Sequence, residues 1–238
     1  MKITTVIPVW GKLRWLAIPA LLSLKSHWPG LADNRLTVIT DDYLDLPLRN
    51  QLIYDSIAAD FSGTFRAALE WLTTDIIFLI CVDTFLTDKL SSAKIKKLVA
   101  YMQARPDVLR VNIKYELALE RNHEFVEDWQ GIRIIRCSDW RHCSLVDGAG
   151  LTMGLFRRKA LIELLQPGWT LQEAEQQLIQ IIHNSHWRGV GTDPALAHSI
   201  EIHNNDLGYF RLEQLNEADR ELVKQYQPED ILWQSPLI

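Results

Sequence analysis

The segment Ser62–Asp88, SGTFRAALEWLTTDIIFLICVDTFLTD, combines a helical pattern, a short break, an unbroken apolar run and a closing acid. Ser62 is placed to cap the helix, and apolar residues recur along one face behind it. The apolar run Ile76–Val82 has seven residues, which is too short to cross a membrane and is typical of a strand covered on both faces. Asp83 follows this strand at its carboxyl end. That edge is where open α/β sheets bind their ligands.

Short apolar stretches on both sides of this segment alternate with amphipathic ones, which predicts alternating strands and helices. Strands are expected at Ile3–Pro8, Arg35–Thr40 and Val108–Ile113. Helices are expected at Leu13–His27, where Pro19 would kink or split the helix, and at Ser91–Arg105. Strands joined by helices in this way form parallel sheets with right-handed crossovers.

The remaining stretches have weaker patterns. We expect a loop with a short helix over Tyr43–Asp60 and an irregular acidic stretch over Tyr115–Trp129. The strand Ala149–Phe156 leads into a helix, and Thr170 opens a long helix that ends near Asn184. Further strands are expected at Ile132–Arg136 and Ala197–His203, and a last helix at Glu217–Gln225. Because no Gly/Ser-rich linker separates the two halves, the sequence predicts one domain with two subregions.

Composition and charge limit the class of protein. The chain of 238 residues has 47% hydrophobic and 23% charged residues, as in ordinary globular proteins, and its net charge of −5 disfavours a general nucleic-acid binder. No apolar stretch approaches the roughly twenty residues of a transmembrane helix, and the N-terminus lacks the pattern of a signal peptide. Three cysteines, an odd number, indicate reduced thiols in the cytoplasm. Cys137, His142 and Cys143 do not have a zinc-binding spacing.

Acids or loop-forming residues follow three predicted strands at the same edge of the sheet. They are Pro8, Val9 and Trp10 after the first strand, Asp41 and Asp42 after the second, and Asp83 after the buried strand. Carboxylates at this edge can hold ribose hydroxyls or a divalent cation, which prefers oxygen ligands. The alternative is that each acid only forms a turn or caps a helix. Three such groups at one edge favour a ligand-binding site.

These residues resemble parts of glycosyltransferases of the GT-A fold. The similar stretches are Val6–Trp10, the turn His27–Pro29, Thr74–Asp75 leading into FLICVDTFL, and Gly150–Leu165 followed by Pro167–Trp169 and Glu173–Glu175. The resemblance, which extends over Ile3–Glu175, implies an α/β, Rossmann-like GT-A fold. Such a fold has a mixed, mostly parallel central sheet flanked by helices, here in a single domain over residues 1–238. Residues 1–113 would form the nucleotide-binding half and residues 114–238 the acceptor-side half.

The resemblance also implies a metal site. In such enzymes the buried strand usually ends in Asp-x-Asp or Asp-Asp, which binds Mn²⁺ or Mg²⁺ together with the donor diphosphate. Here the corresponding residues are Cys81, Val82, Asp83 and Thr84, so one acid is kept and its partner position is apolar. Members of the fold often take a further ligand from a late histidine, which here is His203. We therefore expect a degenerate metal site at Asp83 and His203.

A general base that takes the proton of the acceptor hydroxyl is also implied by the resemblance. The resemblance points to Glu173 or Glu175, and Asp147 is a third candidate. Glu173 has an alternative role, because Thr170 and Glu173 have the spacing of a capping box, in which Glu173 bonds back to the helix start.

A basic triplet follows the predicted strand Ala149–Phe156. Two of its members, Arg157 and Arg158, are candidates for binding the donor phosphates, since guanidinium groups pair well with phosphate. The alternative is a solvent-exposed basic start to a helix.

Together these features predict a cytoplasmic glycosyltransferase that transfers a sugar from a nucleotide-sugar donor to a glycan or other acceptor, for example in bacterial polysaccharide biosynthesis. The alternative is a non-catalytic protein of the same fold that binds a nucleotide sugar or a partner, which is favoured by Val82 where an acid is expected. An unrelated nucleotide-binding enzyme is disfavoured, because the sequence has no glycine-rich phosphate loop.

Overall fold

The computed structural model describes residues 3–33, 35–46, 50–57, 59–114, 123–137, 151–204, 209–210 and 212–228. The strands are β1 (Thr4–Val9), β2 (Arg35–Thr40), β3 (Gln51–Ile53), β4 (Ile76–Leu79), β5 (Thr84–Leu86), β6 (Val108–Asn112), β7 (His123–Trp129), β8 (Ile132–Cys137), β9 (Gly154–Arg157), β10 (Arg188–Asp193), β11 (Ser199–Glu201), β12 (His203–Asn204) and β13 (Tyr209–Phe210). The α-helices are α1 (Ala17–His27), α2 (Phe61–Glu70), α3 (Ser92–Ala104), α4 (Arg158–Leu164), α5 (Leu171–His183) and α6 (Glu217–Tyr226). Two 3-10 helices cover Gly11–Leu16 and Pro29–Asp33.

Strands from both halves of the chain form one sheet. Within the described residues this sheet has nine strands in the order β3-β2-β1-β4-β9-β6-β10-β8-β7. The four strands β3, β2, β1 and β4 are parallel to one another, and β6 and β10 are parallel to each other. Strand β9 lies antiparallel between β4 and β6, and β8 is antiparallel to β10 and β7. The prediction of a mixed, mostly parallel sheet is therefore confirmed.

Helices cover both faces of this sheet, and the apolar run around β4 packs against both layers. Ile76 and Phe78 belong to a buried cluster that includes residues of α1 and α3. Ile77 and Leu79 belong to a second cluster, with residues of α2, α4 and α5. Successive side chains of a strand point to opposite faces, so this run is apolar at every position because both faces are covered. Among the described residues, no helix combines the length and the apolar character needed to cross a membrane.

The start of α2 differs from the prediction. The capping residue is Asp60, whose Oδ1 accepts a hydrogen bond from the backbone N–H of Gly63 at 2.7 Å. The prediction of Ser62 as the cap is wrong. Its hydroxyl instead donates to the carbonyl of Gln166 at 2.5 Å and accepts from the N–H of Trp169 at 3.0 Å. Ser62 thus ties α2 to the turn that precedes α5.

The expected helix Leu13–His27 is split, as its proline suggested. A 3-10 helix ends at Leu16 and α1 begins at Ala17, so Pro19 lies in the first turn of α1. The missing N–H of a proline costs little there, because first-turn N–H groups have no partner within the helix.

Among the described residues, five strands have no counterpart in the sequence prediction, and two of them are the short strands β5 and β13. Strand β3 lies in the expected loop Tyr43–Asp60, and β7 lies in the stretch expected to be irregular. Strand β10, with the sequence RGVGTD, has no predicted counterpart. The expected strand Ala149–Phe156 begins only at Gly154 within the described residues. Short, polar or glycine-containing strands carry little periodic signal, and their partners in the sheet determine them.

We predict that Asp60→Ala lowers the free energy of unfolding by about 1–2 kcal/mol. The carboxylate accepts hydrogen bonds from two backbone N–H groups, of Gly63 at 2.7 Å and of Gly168 at 2.8 Å, and both lose their partner. Urea denaturation followed by circular dichroism measures the loss. Asp88→Ala removes an exposed carboxylate and is the matched control, with an expected change below about 0.5 kcal/mol. Equal losses in the two variants would contradict the capping role.

Candidate functional site

A cavity of about 470 Å³ opens at the carboxyl ends of β1 and β4. The carboxylates of Asp83, Glu175 and Glu201 line it, together with Lys12 and Thr152. The site thus lies at the sheet edge that the sequence indicated, and it brings together acids from three distant parts of the chain.

Pairing of short segments places two of these acids side by side. Strand β11 is antiparallel to β5, with Glu201 opposite Thr84, and the N–H of Ile202 donates to the carbonyl of Asp83 at 3.0 Å. Glu201 therefore lies beside the end of the buried strand, although it is far from Asp83 in sequence. The Lys114 ammonium forms an ion pair with the Glu201 carboxylate.

The Asp83 carboxyl group has a perturbed proton affinity. Its residue is only 9% exposed, and burial raises the pKa to about 6. The negative charge of Glu201 contributes to this rise, whereas the positive charge of Lys114 acts in the opposite direction. Burial disfavours the ionised form of an acid because water no longer solvates it. Asp83 is thus an acid whose ionised form lacks full compensation within the protein.

Glu175 is the second buried acid of the cavity. Burial raises the pKa of its carboxyl group, and the Glu201 charge adds to this. The N–H of Leu151 donates to Glu175 Oε1 at 2.8 Å, and this bond and the Arg110 charge lower the pKa. The same Leu151 accepts at its carbonyl from Cys81 Sγ at 3.5 Å.

Three of the residues predicted to bind the donor line the cavity, namely Pro8, Val9 and Trp10. The indole of Trp10 packs against the ring of Phe61, with 5.4 Å between the ring centres. These residues form one wall.

The acids after β2 support the loop that follows β1. Asp41 Oδ2 accepts a hydrogen bond from the N–H of Gly11 at 2.9 Å, and Asp42 Oδ2 accepts from Arg14 Nη1 at 2.8 Å. Neither carboxylate is among the groups that line the cavity. Asp41 and Asp42 thus support the loop that follows this wall.

The two arginines predicted to bind phosphate lie elsewhere. Arg157 stands opposite Ile76, at the amino end of β4, and its guanidinium donates to the carbonyls of Val108 at 3.2 Å and Arg105 at 3.0 Å. Arg158 donates to the carbonyls of Thr74 at 2.8 Å and Leu69 at 3.1 Å. The reason is the direction of β9, which carries the chain away from the cavity to the opposite edge of the sheet.

The predicted catalytic acids separate clearly. Glu175 lines the cavity, whereas Glu173 is exposed at the start of α5 and completes a capping box with Thr170. Hydrogen bonds from the backbone N–H and hydroxyl of Thr170 lower the pKa of Glu173. Asp147 lies outside the described residues. His203 begins β12 two residues after Glu201, and its side chain is outside what the structure describes.

The described residues contain no cluster of three or more His, Cys, Asp or Glu side chains arranged to hold a metal ion. Two carboxylates, those of Asp83 and Glu201, line the same cavity. Oxygen is the donor atom that Mg²⁺ prefers, and a cation beside Asp83 would stabilise the ionised form that burial disfavours. This pair therefore fits a divalent cation whose remaining ligands are water and phosphate oxygens.

Sequence patterns missed several residues of the site. Lys12 and Glu201 line the cavity but belong to no recognised motif, and Thr152 lies in the similar stretch Gly150–Leu165 without having been singled out. Glu201 carried a partial signal, since it is an acid inside the expected strand Ala197–His203. Only the pairing of β11 with β5 brings it to Asp83.

No family model and no curated protein matches the chain by sequence. Solved structures do match. One is residues 1–349 of S. aureus TarS in complex with UDP-GlcNAc, with a TM-score of 0.53 and 13% identity over 95% of this chain and 71% of that one. TarS is a GT-A glycosyltransferase. This chain has the GT-A fold.

Two other matches have lower TM-scores. Mycobacterium tuberculosis glucosyl-3-phosphoglycerate synthase, solved with Mg²⁺ and UDP, has a TM-score of 0.48 at 15% identity, over 87% of this chain and 74% of that one. CMP:2-keto-3-deoxy-manno-octonic acid synthetase, solved with CTP, has a TM-score of 0.49 at 15% identity, over 95% and 100%. In another crystal structure of TarS 1–349, the match spans only 60% of that chain.

We predict that Asp83→Asn stabilises the GT-A domain at alkaline pH. Folded Asp83, with its pKa of about 6, binds its proton more tightly than the unfolded chain does, so stability falls as the pH rises between about 4 and 6 and stays lowered above that range. Asparagine removes this effect. The stability advantage of the variant should grow by about 2 kcal/mol between pH 4.5 and pH 8, as measured by urea denaturation.

Asp88→Asn is the matched control, because Asp88 is exposed. It should not change the pH profile. An advantage of Asp83→Asn that is the same at both pH values would contradict the desolvated state of Asp83.

Proposed function

We propose that this protein is a glycosyltransferase that moves a sugar from a nucleotide-sugar donor to a hydroxyl group of a glycan acceptor. The observation that carries the proposal is the convergence of Asp83, Glu175 and Glu201 on one cavity at the carboxyl edge of a GT-A fold. The TarS structure supports a nucleotide-sugar donor, because that protein was solved with UDP-GlcNAc.

The donor side of the cavity is the wall formed by Pro8, Val9 and Trp10, with Lys12 beside it. The Trp10 indole offers an apolar face, and the Lys12 ammonium offers a positive charge for the diphosphate. Asp41 holds the backbone of this loop through the N–H of Gly11. The donor would thus lie between the loop after β1 and the end of β4.

A divalent cation, Mn²⁺ or Mg²⁺, would be held by Asp83 and Glu201, with His203 as a further candidate ligand. When bound, such a cation screens the diphosphate charge and stabilises the nucleotide leaving group. Lys114 forms an ion pair with Glu201 and holds that carboxylate in place.

Glu175 is the candidate general base. It accepts the proton of the acceptor hydroxyl while the acceptor oxygen bonds to the anomeric carbon, and the bond from that carbon to the diphosphate oxygen breaks. Burial raises the pKa of Glu175 and so brings its proton affinity closer to neutral pH, which favours general-base catalysis. Glu173 lacks these properties, because it is exposed and bound to the helix start.

The proposal places the enzyme in the cytoplasm, in polysaccharide assembly. A free thiol at Cys81 is consistent with a reducing compartment. The resemblance of Gly150–Leu165 to acceptor-side segments supports a glycan acceptor, and Leu151 and Thr152 of this run line the cavity.

A second candidate function is nucleotide-sugar binding without transfer. The observation that favours it is Val82, which lines the cavity and is 3% exposed where a second metal-binding acid would stand. Binding with no transfer to any acceptor would select this alternative.

We predict that the protein binds at least one UDP-sugar or GDP-sugar, more tightly with Mn²⁺ than without it. Isothermal titration calorimetry against a panel of both sugar classes measures the dissociation constants. Asp83→Asn should weaken binding about tenfold with Mn²⁺, which corresponds to about 1.4 kcal/mol, and much less without it. No binding by any member of the panel would overturn the proposal.

We also predict that Glu175→Gln lowers the transfer rate by a factor of about 10² to 10⁴, because glutamine cannot accept the proton. The dissociation constant of the donor should stay close to that of the wild type. Radiolabelled sugar transfer measures the rate, and calorimetry measures the binding.

Glu173→Gln on the same helix is the matched control. Its side chain is exposed, and glutamine also completes a capping box, so the transfer rate should not change. If Glu173→Gln lowers the transfer rate and Glu175→Gln does not, Glu173 and not Glu175 is the general base.

A further inference from the structure

A buried guanidinium lies behind the wall of the cavity. Arg110, in β6, is 0% exposed, and its Nη2 donates to Thr152 Oγ1 at 2.7 Å. Its guanidinium carbon lies 5.4 Å from the centre of the Phe156 ring. A charged side chain is costly to bury unless its surroundings compensate the charge, so an arginine at this depth indicates a specific role.

Thr152 connects this guanidinium to the candidate base. Thr152 and Leu151 both line the cavity, and the Leu151 N–H donates to Glu175 Oε1 at 2.8 Å. A chain of contacts therefore runs from Arg110 through Thr152 and Leu151 to the Glu175 carboxylate.

The pairing of β6 with β9 fixes Arg110 relative to the residues that precede Gly154. Arg110 stands opposite Phe156 in the pairing of β6 with β9, and Asn112 stands opposite Gly154. A Cβ atom on Gly154 would lie 2.8 Å from the carbonyl oxygen of Val111, so only glycine allows the two strands to approach this closely. The position of the residues before Gly154 in the cavity is thus fixed relative to Arg110.

We propose that Arg110 is a positioning residue. Its hydrogen bond to Thr152 fixes the segment whose Leu151 N–H holds the Glu175 carboxylate at the cavity wall. The inference deepens the proposed function, on which it depends for the role of Glu175 as base.

Charged and titratable groups act on Glu175 from several elements. Arg110 acts from β6, Glu201 from β11, and the Cys81 thiol lies after β4. Burial raises the pKa of Glu175 most, Glu201 raises it too, and the positive charge of Arg110 lowers it. Loss of Arg110 therefore removes both a charge and an anchor, and each loss moves the pKa of Glu175 upward.

The test is Arg110→Met, with the side-chain carboxyl carbons of glutamate labelled with ¹³C and followed by NMR as the pH changes. The Glu175 signal is assigned by its absence in Glu175→Gln. The titration midpoint of Glu175 should rise by about one pH unit, as expected when an opposite charge is removed from the vicinity of an acid. In Arg110→Lys, which keeps the charge, the titration midpoint of Glu175 should lie between those of Arg110→Met and the wild type.

Arg157→Met is the matched control, since it makes the same chemical change in the same sheet. Arg157 binds backbone carbonyls at the opposite edge, so the midpoint of Glu175 should not move. A shift equal to that of Arg110→Met would show a general effect of sheet disruption and would overturn the proposal.

Thr152→Val tests the positioning role of Arg110 if Arg110→Met does not fold. Valine keeps the shape of threonine and lacks the hydroxyl that accepts from Arg110, so the Leu151 amide resonance should shift and the Glu175 midpoint should rise. Unchanged values would overturn the proposal. These titrations need no donor, so their outcome is independent of whether nucleotide sugars bind.

Discussion

Desolvation of the Asp83 and Glu175 carboxylates at the carboxyl edge of the sheet is the constraint on which the rest of the site depends. Acids removed from water must be compensated, and strand β6 supplies the compensation. Arg110 acts on Glu175 from within that strand, and Lys114, just beyond its end, pairs with Glu201. Asp83 is least compensated and has its pKa raised to about 6. One strand of the sheet thus carries the cations for two acids, and the third acid keeps the capacity to bind a further positive charge.

Burial of these charged groups lowers the stability of the folded protein. Two apolar clusters on the faces of the sheet provide the stabilisation that offsets the buried charges. Interactions that tie α2 to α5 add to this, because Asp60 and Ser62 bond to the turn at 166–169. Glu175 stands early in α5, so the same bonds that stabilise the start of α2 also set the position of the candidate base.

Sequence patterns predicted the elements whose signals are local. The buried strand, which ends at Leu79 where the prediction had Val82, the helix capped by Thr170 and the acid at the sheet edge follow from periodicity and capping alone. Elements defined by their partners were not predicted: β7 and β10 have no clear alternation, and pairing in the sheet determines them. The residues of the candidate site were predictable to the same extent, according to whether their signals are local. Asp83 and Glu175 were identifiable, but Glu201 and Arg110 act through contacts that join segments distant in sequence. The basic triplet misled because the direction of β9 cannot be read from its residues.

The antiparallel direction of β9 has a consequence for how such a site can diverge. Residues just before this strand, Leu151 and Thr152, touch the cavity, whereas Arg157 and Arg158 at its end bind only backbone carbonyls at the far edge. Substitutions that alter the cavity and substitutions that alter the scaffold therefore fall at neighbouring but separate positions of one short stretch.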